Sequence, residues 1–209
     1  MDPAFIALSI IILLFSVIVH EVMHGLVALQ FGDTTAERAG RLTLNPLPHI
    51  DLVGTILLPA LFLILHTGFF IAWAKPVPVN PLNFSNLRKG ELFVSLAGVA
   101  SNFTLAIIAT IIYHLSLIYL PNNGLIIGLA QFTVGINLML GIFNLLPIPP
   151  LDGYNALLSR LPYQLAKNYQ KLYPFGFIII LALMYLNILG LILGFILVPL
   201  YNLLGIPPL

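Results

Sequence analysis

His20-Glu21-Val22-Met23-His24 is the densest chemical signal in the sequence. On a helix, residues four apart share one face about one turn apart, so both imidazoles reach one metal ion while the intervening carboxylate stands beside a metal-bound water. This spacing suits zinc-dependent hydrolysis. The plainer alternatives are a chance match or a His–Glu cluster that packs helices together. Ala4 to Phe31 is otherwise strongly apolar, and an ionisable group at mid-bilayer costs on the order of 3 kcal/mol. Three such groups in five positions need compensation, which a metal supplies. Catalytic zinc takes three protein ligands and leaves a fourth position for water. The chain has no cysteine, so the third ligand must be His, Asp or Glu. Asp2, Asp33, Glu37, Asp51 and Glu91 fall at predicted helix ends or in polar loops. Asp152 instead follows Asn144-Leu145-Leu146-Pro147-Ile148-Pro149-Pro150-Leu151, where three prolines break a helix. Open backbone at membrane depth is tolerated only inside protein or beside a wet cavity. The competing reading makes Asp152-Gly153 an ordinary N-cap of a short helix through Leu161. Beside a complete two-histidine half-site, the ligand reading is the stronger.

The elements that position these residues are membrane helices. Of 209 residues, 60% are hydrophobic and 7% charged, and mean hydropathy is +1.06; a soluble domain carries about 25% charged residues. Net charge is +1 and no basic run exceeds Arg88-Lys89, which excludes a nucleic-acid partner. A span needs about 20 apolar residues. Ala4 to Phe31, Leu92 to Leu120, Leu125 to Leu146 and Phe175 to Leu204 qualify. The first lacks a charged leader and is too long for the core of a cleavable signal peptide, so it reads as a mature helix. Phe175 to Leu204 contains Gly190, Gly194 and Pro199 and suits either one long span or a cramped hairpin. Leu52 to Ala74 is long enough but is interrupted by Gly54, Pro59 and Gly68. Arg41-Leu42-Thr43-Leu44 alternates with the period of a strand, and Ala74 to Pro81 is held extended by its prolines. The expected fold is therefore an all-α polytopic membrane protein with four to six transmembrane helices, a re-entrant segment and a small membrane-rim β-sheet. It forms a single domain over residues 1–209.

Several motifs together resemble the site-2 protease family of intramembrane zinc metalloproteases, in its short prokaryotic branch. They are His20 to Gly25, the Asn-x-x-Pro-x-Pro-x-x-Asp-Gly run from Asn144 to Gly153, and Ala97-Gly98 with Asn102. Gly40 to Pro46, His49-Ile50-Asp51 and Trp73 to Asn80 extend the likeness over most of the chain. By position, the resemblance implies His20, His24 and Asp152 as ligands of one Zn2+ and Glu21 as general base. Asn144 would lie near the substrate backbone or developing oxyanion. The substrate would be a transmembrane segment of another membrane protein, cut in or near the bilayer. The family often has proline after the glycine that here is Gly98, whereas this chain has Val99, a difference that bears on a helix bend and not on the catalytic groups.

Asn102, four residues after Gly98, fits either close helix packing or a hydrogen bond to the second ring nitrogen of a ligating histidine. His66 and His114 read as interfacial or hydrogen-bonded histidines, and His49 as a loop residue near the rim. Tyr163, Tyr169 and Tyr173 with Lys167 and Lys171 read as an interfacial belt. An extended substrate would pair with the strand edge at Arg41 to Leu44. Rival functions are a membrane zincin that trims lipidated peptides, which has no need of the Asn144 to Gly153 run, and a metal transporter. A transporter calls for further ionisable groups along the spans, and Leu92 to Leu120 holds none but His114. Bringing Asp152, just past one span, to His24, near the end of another, requires those spans to run parallel, so Leu52 to Ala74 must enter and return. All 8 Lys and Arg residues then share one face, which the distribution of basic loops makes cytoplasmic. The N-terminus would lie outside and the active site would open inward.

Overall fold

The computed structural model describes residues 2–57, 61, 64 and 73–208. Helix α1 (Pro3–Gln30) begins where Asp2 accepts a hydrogen bond from the Ala4 N–H at 2.9 Å. Pro3 fits the first turn because it has no N–H to leave unpaired. The chain turns away at Gly32, whose φ of 99° a β-carbon would resist. The one-turn helix α2 (Thr35–Arg38) follows. Helices α3 (Leu87–Tyr119) and α4 (Gly124–Asn144) are capped by Asn86 and Asn123, which accept from the N–H groups of Lys89 and Ile126. Then come α5 (Asp152–Leu158), α6 (Tyr163–Gln170), α7 (Gly176–Tyr185) and α8 (Ile188–Leu204).

Helices α1, α3 and α4 are long and apolar enough to cross a bilayer. A fourth span results if the broken C-terminal pair counts as one. The protein is a multi-pass membrane protein, and α3 is its centre, packed against both α1 and α4. His20 meets Asn102, His24 meets Val94 and Phe31 stacks on Phe93, so α1 and α3 are antiparallel. Phe5 packs edge-on against Phe132 and Ser16 bonds to Asn137, so α1 and α4 are parallel. Their C-terminal ends therefore lie together, beside the N-terminal half of α3, as a site shared by His24 and Asp152 requires. Small residues let these helices approach closely: Ala106, Ala109 and Ala130 are buried in one cluster with Val134 and Leu138.

The rim sheet is not there: no strand occurs among the described residues. Local hydrogen bonds outcompete it. Thr43 Oγ1 accepts from the Asn45 N–H, Asn45 Oδ1 accepts from the Leu47 N–H, and His49 Nε2 donates to the Thr43 carbonyl, turns of the kind that short polar side chains impose. Arg41 points inward, 7% exposed, and donates to the Lys75 carbonyl. The Arg41 to Leu44 edge expected to pair with substrate is therefore already turned and bonded. Residues 73–80 join no ladder: Pro76 and Pro78 have no N–H, and the N–H groups of Lys75, Val77 and Asn80 donate elsewhere. Phe175 to Leu204 is not one straight helix. It breaks at Asn187, whose φ is 56°, with a bend of 77°, while Gly190, Gly194 and Pro199 all sit within α8. Most of Leu52 to Ala74, including Pro59, His66 and Gly68, lies outside the described residues. Its two ends are bonded to each other: Trp73 N–H donates to the Gly54 carbonyl at 3.1 Å and Thr55 Oγ1 donates to the Trp73 carbonyl at 2.8 Å.

Candidate metal centre

His20 and His24 leave α1 on one face, and α3 comes so close there that a β-carbon at Gly98 would lie 2.5 Å from His24 Nε2 and 2.6 Å from His20 Nε2. Only glycine leaves that space open. Each ring is held by its other nitrogen. His20 Nδ1 is 2.6 Å from Asn102 Oδ1, and His24 Nδ1 is 2.6 Å from the Val94 carbonyl. Carbonyl oxygens only accept, so both Nδ1 atoms carry protons, and in the neutral rings both Nε2 atoms present lone pairs.

Asp152 does not cap its helix: the cap position is Leu151, and no side chain caps there. The carboxylate turns instead to the histidines, with Oδ2 3.1 Å from His20 Nε2 and 3.3 Å from His24 Nε2. The two Nε2 atoms are 3.0 Å apart. These three atoms form a nearly equilateral triangle. Ligands about 2.0–2.1 Å from zinc in tetrahedral array stand about 3.3 Å from one another. With both rings neutral and protonated on Nδ1, nothing in the triangle donates, and Asp152 Oδ2 is buried without a hydrogen-bond partner. An orphaned carboxylate oxygen facing two imidazole lone pairs is what a cation would satisfy. His20, His24 and Asp152 are the single cluster of this kind among the described residues.

The triangle lines a cavity of about 960 Å³ that also takes in Glu21, Glu91, Asn144, Asn155 and the wall from Trp73 to Pro81. Glu21 Oε2 accepts from the Val77 N–H at 2.8 Å, leaving its other oxygen uncommitted. Gly25 makes this possible: a β-carbon there would sit 2.9 Å from a Val77 methyl and 2.5 Å from Leu42. The wall is pinned on either side of Val77. Lys75 N–H donates to the His49 carbonyl, and Asn80 N–H donates to Asp33. Asp33 is fully buried and also accepts from Thr35 and Asn83. Burial alone raises its pKa, but these hydrogen bonds outweigh it and hold the carboxyl below its usual range. Asn144 lines the cavity, one amide hydrogen spent on the Leu140 carbonyl.

The chain matches the model of peptidase family M50 over residues 118–185. It is 41% identical to YwhC of Bacillus subtilis over 179 residues, 83% of this chain and 78% of that protein. The chain belongs to peptidase family M50. This M50 chain is also 30% identical to Rip2 of Mycolicibacterium smegmatis, over 82% of its own length and 64% of Rip2. With MJ0611 of Methanocaldococcus jannaschii the figures are 33% identity, 74% and 73%. All three relatives are provisionally named as zinc metalloproteases. No solved structure matches the chain.

All the expected site residues meet at one place: His20, Glu21, His24, Asn144 and Asp152 line one cavity, and Asn102 touches His20. Tyr173 also reaches the cavity, and Tyr169 donates to the Pro147 carbonyl and stacks on Tyr154, so part of the expected interfacial belt braces the site. His114 bonds to the Leu204 carbonyl at 2.8 Å, and His49 is buried at the loop. Sequence reasoning missed Val77, which acts through its backbone and leaves no signature. It also missed Asn137, whose signal was available as a polar residue in mid-span, two turns before Asn144 on the same face.

Proposed function

We propose that this M50 protein is an intramembrane zinc metalloprotease that hydrolyses peptide bonds in or near transmembrane segments of membrane-protein substrates, with one zinc per chain held by His20, His24 and Asp152. The triangle of three ligand atoms, with Glu21 beside it in an accessible cavity, carries this reading. A zinc ion held by these three residues would supply Lewis acidity, lowering the pKa of a water towards about 7 and polarising a carbonyl. Glu21, braced by Val77, takes a proton from water as the water oxygen adds to the scissile carbonyl carbon. It returns that proton to the amine nitrogen as the C–N bond breaks. Asn144 retains one amide hydrogen to donate to the substrate carbonyl or its developing oxyanion. Asn102 orients His20. The apolar wall from Trp73 to Pro81 keeps bulk water from the reacting bond.

The bonds between Gly54 and Trp73 support a segment that enters the membrane and returns. The eight basic residues then gather on one side, with the N-terminus outside and the cavity open to the cytoplasm. The deciding experiment measures zinc and cleavage in the same preparations, with cleavage read from membrane-protein fragments in cells. Glu21→Gln is expected to keep one zinc and lose cleavage. His24→Ala combined with Asp152→Ala is expected to lose both. Cleavage by Glu21→Gln would overturn the role of the base, and zinc in the double variant would overturn the ligand set.

A further inference from the structure

Asn137 sits at mid-length in α4 with no exposed surface and touches neither the metal triangle nor the cavity. Its amide nitrogen has two acceptors, the Thr133 carbonyl and the Ser16 hydroxyl, each at 2.9 Å. A backbone carbonyl only accepts, so the bond to Thr133 fixes which end of the Asn137 amide is nitrogen. Its oxygen must then face Asn102, 2.9 Å from the Asn102 amide nitrogen. That turns the Asn102 oxygen towards His20 Nδ1, which must hold a proton, so the neutral His20 ring has a bare Nε2. The path has one polarity from end to end, and it is sealed: Asn102 and Asn137 are 0% exposed and Ser16 is 1% exposed. Water has no access to substitute for a missing partner.

We infer that Asn137 is a positioning residue for the metal centre: through the Asn102 amide it fixes the His20 tautomer that presents Nε2 to zinc. The inference rests on His20 being a ligand, as proposed above. His24 needs no such arrangement, because its Nδ1 donates directly to a backbone carbonyl. An amide at position 102 is neutral, which spares the membrane interior another negative charge beside Glu21 and Asp152. It also has two unlike ends. Something must select the end that faces His20, and Asn137, itself oriented by the Thr133 carbonyl, does so.

The test uses the full chain in detergent and two readouts. Nitrogen-15 NMR of the histidine rings in zinc-free protein reports the tautomer, and competition with a chelator reports zinc affinity. The unmutated protein should show His20 protonated on Nδ1. Asn137→Leu should lose that uniform tautomer and bind zinc 10–100-fold more weakly, the usual effect of removing an outer partner of a ligand. Adding Asn102→Asp to Asn137→Leu should restore both, since a carboxylate has no donor end to present wrongly; a packing role for Asn137 would not be rescued this way. Ser16→Ala keeps the bond to Thr133 and should leave both readouts unchanged. A neutral His20 ring with its proton on Nε2 in the unmutated protein would overturn the inference, and this measurement stands even where Asn137→Leu fails to fold. Wild-type tautomer and affinity in folded Asn137→Leu would overturn it equally. Undiminished zinc binding by His20→Ala would instead overturn the ligand set and leave the tautomer result intact.

Discussion

Gly98→Ala sets two effects of opposite sign against each other. Alanine is the better helix former by about 1 kcal/mol, and position 98 is well inside α3, so secondary structure alone favours the variant. The new β-carbon would meet His24 Nε2 at 2.5 Å and His20 Nε2 at 2.6 Å, where ordinary contacts begin at 3.4 Å. The rings must therefore withdraw by nearly an ångström, while a metal site tolerates ligand displacements of about 0.2 Å. Neither ring is free to swing, because both Nδ1 atoms are held at 2.6 Å and each such bond is worth about 0.5–1.5 kcal/mol. The expected result is a folded protein with zinc affinity reduced at least about 100-fold, at or beyond the upper end of what outer-partner changes produce. Chelator competition measures the affinity, and a thermal melt by circular dichroism verifies the fold. Stoichiometric zinc at wild-type affinity in the variant would refute the placement of the metal between α1 and α3.

Val77→Pro removes the N–H that holds Glu21, and kcat should fall about tenfold or more, the worth of a hydrogen bond to a charged group, with zinc content unchanged. Val77→Ala keeps the N–H and should retain most of the rate; equal losses in the two variants would argue against a role for the bond. Asp33 has a lowered native pKa, so its stabilising contribution is complete above its ordinary value near 3.8 and drains away as pH falls through the lower native value. Melts from pH 6 downward should show that loss in the wild type and a flatter profile in Asp33→Asn; identical slopes would contradict it. In sealed vesicles, single cysteines at Asn45 and Leu82, both exposed, should label from one side and a cysteine at Asn122 from the other. Labelling of Asn45 and Leu82 from opposite faces would overturn the re-entrant topology.

The meeting of His20, His24 and Asp152 was legible because its chemistry is written in residue types. Two histidines one turn apart and a carboxylate beyond a proline-broken helix are improbable in an apolar chain without a shared ligand. Asn102 was half legible, since packing and ring orientation favour the same spacing, and only its 2.6 Å contact with His20 separates them. Val77 was invisible because an N–H group is common to every residue but proline. The strand at Arg41 to Leu44 was misread because its alternation is real. Period-two patterning describes side chains, however, and here Thr43, Asn45 and His49 spend the backbone groups a ladder would use. In the C-terminal region, glycine and proline drew attention that belonged to Asn187. A left-handed asparagine ends a helix more sharply than a glycine bends one when neighbours support its backbone.

The candidate metal centre joins residues made at widely separated moments of synthesis. His20 and His24 are made well before Asp152, which emerges only after α3 and α4 have been produced. At 5–20 residues per second the delay is on the order of ten seconds. During that interval the nascent chain holds the proposed base and two imidazoles but not the proposed third ligand, and no assembled cavity. On the ligand set proposed above, a half-made copy in the membrane has no complete metal site, and cleavage of its neighbours must wait until Asp152 has been made.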